Sequence, residues 1–363
     1  MAPMTYKHLK EGLSGIMCVK NEATFLETCI DSCIEALDEL IVVYIKGNDN
    51  SEDILAKKQS QYKGKLFCYE YPYNVLWFDM TRQEYEIAYD LPENDPRLYS
   101  SMCNFALSKV SYKYVIKKID ADQLYFSEEL RKWKDLCAGQ EVVRFNVKCL
   151  LGSCLDLYIS VYRRLSMRLG KPAMLLVPDL IFTLFRNSYI TYTKWRLLRG
   201  RCAVSLSGIN VLYDKEWYIP FDGVNTHPPF NGEGDHLIFQ LSSETFFTKH
   251  RENREANRAS YSVTEDFQHP YKTMFGGFCW FHMHANRKHC QHKVLAEKSV
   301  NPHFFVLVED FYNMSYRQIL SKMTGRINIL YKKIYFSIAH KLFSYQLEEN
   351  AYRLTSYPYS DEV

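Results

Sequence analysis

Apolar residues follow two alternating rhythms over the first seventy positions. Leu13 to Val19 is a short, nearly unbroken apolar run, and Lys20-Asn21-Glu22 ends it. Leu26, Ile30, Ile34 and Leu37 then recur every three or four residues with Phe25, Cys29 and Cys33 beside them, which predicts a helix with one buried stripe. Leu40 to Ile45 is continuously apolar, the pattern of a parallel strand covered on both faces. Asn48 to Ser51 breaks that run, Asn50 and Asp53 are spaced as a helix cap, and Lys65 to Glu70 predicts a third strand. Strand, helix, strand, helix, strand is the opening of a doubly wound α/β sheet, whose ligands sit beyond the carboxyl ends of its strands.

Polar clusters mark those ends. Asn21-Glu22 follows the first strand and Asn48 to Asp53 follows the second, where a turn and cap would also use such residues. A further extended run, Tyr114 to Ile119, leads into Asp120-Ala121-Asp122. Two carboxylates one residue apart cost free energy unless a cation or hydrogen-bond donors neutralise them. Mg2+ or Mn2+ shared with a nucleotide diphosphate would do so, since these ions take oxygen ligands from carboxylate and phosphate alike. No Gly-rich phosphate loop follows the first strand, which argues against a dinucleotide fold or a P-loop enzyme. Lys117 and Lys118 interrupt the apolar run before the acidic triplet; they are either solvated or turned toward phosphates or an acceptor.

With these segments in hand, GIMCVKNEATFLETCIDSCIEALDELIVVYIKGNDNSED resembles the opening of family 2 glycosyltransferases of the GT-A fold. SSMCNFALSKVSYKYVIKKIDADQ resembles their later block, a helix with an Asn-x-Ala-Leu core at Asn104, Ala106 and Leu107, then a strand and a DxD. The resemblance covers residues 13 to 126 and implies a GT-A, Rossmann-like, mostly parallel α/β sheet with a helical C-terminal extension. It implies that Val19, Asn21, Glu22, Asp49, Asn104 and Asp120 bind the nucleotide sugar, and that Asp122, with Asp120, binds Mn2+ or Mg2+. It also implies an inverting transfer from a UDP-sugar to a hydroxyl of a glycan or lipid-linked oligosaccharide, of the kind that builds bacterial surface polysaccharide or lipopolysaccharide.

The second half carries less pattern. Glu141 to Leu151, Ala173 to Val177 and Val204 to Tyr213 read as extended, and Arg163, Arg164, Arg168, Arg196, Arg199 and Arg201 make this side basic, either as solvated surface or toward an acidic acceptor. Pro228, Pro229, Gly232 and Gly234 mark a loop. Glu233 and Asp235 follow, and the resemblance implies that one of them is the general base. Asp235 is favoured because it directly precedes the apolar segment His236 to Leu241, and a helix cap is its structural alternative. Lys249 to Arg258 is a charged run, either solvated or a lid. Gly277 to His292 concentrates four His and two Cys at spacings that match no common zinc pattern. The resemblance implies instead that His284 or His282 completes the metal site; strand alternation would point both the same way, with Trp280. Leu330, Ile334, Ile338 and Leu342 predict a helix, either interfacial at an anionic membrane or packed on the catalytic domain or a second subunit. Residues 1–295 read as the catalytic domain, divided at 126/127 into donor and acceptor halves, and 296–363 as a helical C-terminal region.

Composition narrows the class. Hydrophobic residues make up 47% and charged residues 24% of 363, which fits a folded soluble chain, and a net charge of +3 gives no footprint for nucleic acid. Aromatics at 15% suit sugar-binding clefts, and equally AT-biased coding or a membrane-surface protein. Eleven scattered Cys without a CxxC argue against a disulfide framework and for a reducing compartment. The polar stretch Met1 to Gly12 does not read as a signal peptide, and the most apolar run, Ala173 to Phe185, is broken by Pro178-Asp179. The expectation is a cytoplasmic protein, at most peripheral on the inner face of a membrane and able to form homo-oligomers. Two rival readings share the layout: a sugar-nucleotide nucleotidyltransferase, disfavoured by the missing Gly-rich loop, and a non-catalytic glycan-binding protein, disfavoured by the intact acidic clusters.

Overall fold

A computed structural model describes residues 9–76, 81–169, 179–220, 236–250 and 263–311, and beyond them 313, 314, 318, 342, 343, 345–351, 353, 354 and 357. Its strands are β1 (Lys10–Val19), β2 (Glu39–Tyr44), β3 (Leu66–Glu70), β4 (Tyr112–Ile116), β5 (Gln123–Tyr125), β6 (Cys202–Asn210), β7 (Leu212–Asp214), β8 (Glu216–Pro220), β9 (His236–Gln240), β10 (Phe246–His250), β11 (Thr264–Gln268), β12 (Lys272–His282) and β13 (Phe305–Leu307). Its helices are α1 (Ala23–Cys33), α2 (Ser51–Gln61), α3 (Arg82–Asp90), α4 (Tyr99–Leu107), α5 (Ser127–Cys137), α6 (Val147–Leu169), α7 (Asp179–Leu198), α8 (Lys288–Val300) and α9 (Val308–Phe311).

Eight strands form one sheet in the order β3-β2-β1-β4-β9-β6-β12-β5. Four of its seven pairings are parallel. The expected Rossmann-like, mostly parallel α/β sheet is therefore what the chain forms. β9 runs antiparallel between β4 and β6, and β5 pairs antiparallel with β12. The alternation of side chains along each strand explains the double cover. Leu13, Met17, Val19, Leu40 and Val42 enter one core layer, which holds α1 and α5 residues. Ile16, Ile41, Val43 and Val115 enter the layer on the opposite face, against α4.

Three readings of the sequence change. Glu141 to Leu151 is not extended: from Val147 it is the start of α6. The apolar segment after Asp235 is strand β9, so a helix-capping role for Asp235 does not arise. Asn50 stands at the N-cap of α2 but makes no side-chain capping bond. Ala173 to Val177 lies outside the described residues, as do Glu233, Asp235, most of the Lys249 to Arg258 run and the stripe from Leu330 to Ile338.

The tail joins the main core. Leu342, Phe343, Leu347 and Leu354 are buried in the layer with α1 and α5. The Gln346 side-chain oxygen accepts from Phe278 N at 3.0 Å, and Arg353 donates to Ser127 Oγ at 3.0 Å. All eleven cysteines are free thiols. Among the described residues, no helix is long and apolar enough to cross a membrane.

Candidate active site

The site begins where β5 lies beside the end of β12. Gln123 pairs with His282, Leu124 with Phe281 and Tyr125 with Trp280. The Asp122 carbonyl accepts from Met283 N at 2.8 Å. The acidic triplet and the histidine-rich segment, distant in sequence, are thus cross-strand neighbours. β12 is held in place on its other side by β6, where Gly208 leaves room for Trp280: a Cβ there would lie 1.8 Å from Trp280 Nε1. Trp280 is fully buried, with its ring 4.0 Å from that of His236.

Asp122 is buried, and two imidazoles face it. His282 Nε2 lies 3.4 Å from Asp122 Oδ1, and His284 Nδ1 lies 3.4 Å from Asp122 Oδ2. One ligand atom from each of the three residues falls within 4.8 Å of the others. The two histidines reach this point differently. His282 is the last residue of β12, whereas His284 opens a single turn of 3-10 helix (His284–Asn286). That turn is anchored by the buried Asn286, which accepts from Tyr213 N at 2.7 Å and donates to the Val211 carbonyl at 3.0 Å. Strand alternation therefore aims only His282; the turn after the strand aims His284.

A second contact orients the ring of His282. Its Nδ1 lies 2.6 Å from Asn210 Oδ1, where an Nδ1 proton is accepted, so Nε2 is the nitrogen aimed at Asp122. His284 is half-exposed, and its Nε2 lies 3.4 Å from Cys290 Sγ. Hydrogen bonds to Asp122 and Cys290 raise the His284 imidazole to about 9, against its partial burial. Burial alone would raise the Asp122 carboxyl; the charge and hydrogen bond of His282, then His284 and Arg287, overcome it and hold Asp122 well below the usual range.

Arg287 ties the site to the chain's first turn. Its Nε donates to Asp122 Oδ2 at 3.0 Å, and its two terminal nitrogens donate to Glu22 at 3.2 and 2.6 Å, a two-point pairing that fits a guanidinium fork. Burial pushes the Glu22 carboxyl above its ordinary value; Arg287 pulls the other way, and the like charge of Asp122 adds to the rise. Two carboxylates, two imidazoles and a guanidinium from residues 22, 122, 282, 284 and 287 therefore meet at the carboxyl end of the sheet.

The other residues singled out in the sequence have these places. Val19 is buried at the end of β1, and its carbonyl accepts from Ile45 N at 3.0 Å. Asn21 adopts a left-handed backbone, φ 56°, and its side chain accepts from Asn48 N at 2.9 Å, so close to Gly47 that a Cβ there would lie 1.9 Å from Asn21 Oδ1. Asp49 is exposed and accepts from Ala23 N and Ser51 N, each at 3.0 Å. Ser51 Oγ accepts from Glu22 N at 2.8 Å. The second polar cluster thus braces the turn that carries Glu22. Asp120 stands apart from the three-residue cluster: its N–H donates to Gln123 Oε1 at 3.1 Å, and it lines a small cavity with Cys18, Tyr99, Cys103, Lys118 and Glu265. Asn104 is buried and exchanges two 2.8 Å bonds with the backbone of Phe247, holding β10 to α4. Lys117 and Lys118 follow β4 rather than interrupting it. Lys117 lies 5.0 Å from the Phe267 ring and Lys118 3.2 Å from Glu265.

Arg287 and Asn210 were not legible as site residues. Arg287 sits in a His- and Lys-rich stretch with nothing local to distinguish it, and Asn210 ends a strand with no motif around it.

Chemically, the cluster can hold a divalent cation through one carboxylate and two imidazole nitrogens, beside a fixed guanidinium able to face an anion. No protein-family model and no curated protein matches the chain. Loose likenesses exist among solved structures. Glucosyl-3-phosphoglycerate synthase from Mycobacterium tuberculosis, in complex with Mn2+, UDP and glucosyl-3-phosphoglycerate, is 19% identical over 31% of this chain and 34% of its own length, with a TM-score of 0.20. S. aureus TarS is 16% identical over 34% of this chain and 19% of its own, with a TM-score of 0.22. Its 1–349 fragment is 12% identical over 97% and 94%, with a TM-score of 0.30. This chain spans about a third of the length of the synthase, and scores this low carry no weight for function.

Proposed function

We propose that the chain is a metal-dependent glycosyltransferase that takes a sugar from a nucleotide diphosphate donor, a UDP-sugar in particular, and passes it to a hydroxyl of a glycan acceptor. The observation that carries this reading is the meeting of Asp122, His282 and His284 beside Glu22 and Arg287, at the end of the sheet where α/β proteins bind ligands. The donor set fits a cation. Asn210 accepts at His282 Nδ1, which leaves Nε2 as the nitrogen a cation would take in exchange for a proton, and Asp122 is held ionised in a buried position. Two imidazoles beside one carboxylate favour Mn2+ over Mg2+, which takes mainly oxygen ligands. A bound cation supplies positive charge opposite a diphosphate leaving group.

The chain's own residues do the rest. Arg287 places a permanent positive charge next to the same leaving group, already oriented by Glu22 and Asp122. Glu22 fixes that guanidinium and stands at the first turn, where the sequence resemblance puts the nucleoside. The acceptor hydroxyl loses its proton to a carboxylate, for which Asp235 and then Glu233 are the proposed bases, as it attacks the anomeric carbon and the sugar–phosphate bond breaks with inversion. Bound proton, sugar and UDP are then all accounted for. A role in surface polysaccharide synthesis belongs to this same proposal.

Asp122→Asn tests it. With Mn2+ at about a hundred times its Kd, the wild type gains about 2.7 kcal/mol. At about 2 °C per kcal/mol for a chain this long, its melting temperature rises about 5 °C. The variant should gain about 1 °C or less and lose donor hydrolysis. An equal Mn2+ shift in the variant rejects the metal assignment. Release of pyrophosphate rather than UDP would identify a nucleotidyltransferase, and failure to bind UDP with Mn2+ a non-catalytic protein.

A further inference from the structure

Helix α6 is apolar on two opposite faces, and only one of them is covered. Cys149, Leu155 and Ile159 are buried on the inner face, beside Asp156, the only acidic residue of the helix, which pairs with Lys272 of β12. On the other side Val147, Leu150, Leu151, Leu157, Tyr158 and Val161 are exposed, from 38% at Leu151 to 71% at Val147. At about 100° per residue these six fall in an arc of about 120°, roughly opposite the inner residues, along about 20 Å of helix. A contiguous exposed apolar arc of this length marks an interaction surface.

The edges of the arc indicate what it is. Lys148 and Arg164 are both exposed; the same helical spacing puts Arg164 about 20° past one margin of the apolar arc and Lys148 about 60° past the other, with exposed Arg144 just before the helix. The acidic Asp156 is on the inner face and already paired, so no negative charge of α6 faces outward. An apolar stripe bordered by long cationic side chains is the pattern of a helix lying in the interface of an anionic bilayer, apolar side down, with Lys and Arg reaching the headgroups. A second copy fits less well, because a two-fold contact brings each copy's cationic margins against the other's.

We propose that the outer face of α6 docks this protein on anionic lipid. The proposal does not depend on the enzymatic reading. It is tested by sedimenting the full chain with phosphatidylcholine vesicles, with and without phosphatidylglycerol, at low and high salt. The wild type should bind the anionic vesicles and be released by salt. Lys148→Glu/Arg164→Glu should weaken binding by about thirtyfold or more, at about fivefold for each cation lost. Leu150→Glu/Leu157→Glu should weaken it by at least about tenfold. Circular dichroism and melting curves verify that both variants are folded. Failure of the folded wild type to bind anionic vesicles overturns the proposal, as does wild-type binding by the leucine variant. A wild-type dimer that the leucine variant disperses, without vesicle binding by either, assigns the face to a second copy and overturns it equally.

Discussion

Replacing Asn210 by Ala tests the metal centre without touching a ligand. Asn210 Oδ1 lies 2.6 Å from His282 Nδ1, and both side chains are largely shielded from water. Without that acceptor the imidazole is free to carry its proton on Nε2, the atom that faces Asp122, and it loses the contact that fixes its ring plane. Removing such a supporting partner costs about 10–100-fold in metal affinity, or about 1.4–2.8 kcal/mol. The direct effect on folding is smaller, about 1 kcal/mol for one hydrogen bond, which lowers the melting temperature by about 2 °C in a chain this long. Titration calorimetry with Mn2+, on the wild type, Asn210→Ala and Asn210→Asp, separates the two effects. Asn210→Asp keeps an acceptor at the same place and should retain most of the affinity. An Asn210→Ala affinity within about twofold of wild type, in a protein that binds Mn2+ normally, would refute the assignment of Nε2 as the ligand atom.

Two more outcomes are expected. A cation at this site displaces the proton of His284, whose folded value is about 9. Mn2+ affinity should therefore climb by up to about tenfold per pH unit between 7 and 9 and then level, as read by calorimetry at fixed ionic strength. The metal-free protein should behave oppositely: a raised histidine contributes stability in full below its unfolded value near 6.5, and that contribution is lost as the pH rises through about 9. Asn104→Leu should destabilise the fold by about 2–3 kcal/mol, because it strands both the N–H and the carbonyl of Phe247. A stable Asn104→Leu protein with weakened UDP binding would instead return Asn104 to the nucleotide site.

The first half of the chain was readable because local pattern and tertiary surroundings agree there. β2 is apolar from Leu40 to Tyr44 and buried on both faces, and α1 shows its stripe because only one side is covered. The start of α6 was misread as extended for the opposite reason. Its exposed outer residues are as apolar as its buried inner ones, so the helical period is flattened and the β-branched Val142, Val143 and Val147 dominate the local signal. The carboxylate Asp122 and the histidines were visible as chemistry. Arg287 was not, because its role comes from contacts with residues 165 and 265 positions away, and no local property of an arginine encodes such a distance.

Those long separations have a consequence for how the protein is made. Arg287 closes a loop of 265 positions back onto Glu22, while β12 takes its place between β6 and β5. During synthesis the acidic side chains leave the ribosome long before their partners, and they wait in water until the last sheet strand arrives. Assembly of the charged cluster is then a late event, and a nascent chain stalled before residue 282 should hold neither cation nor guanidinium there.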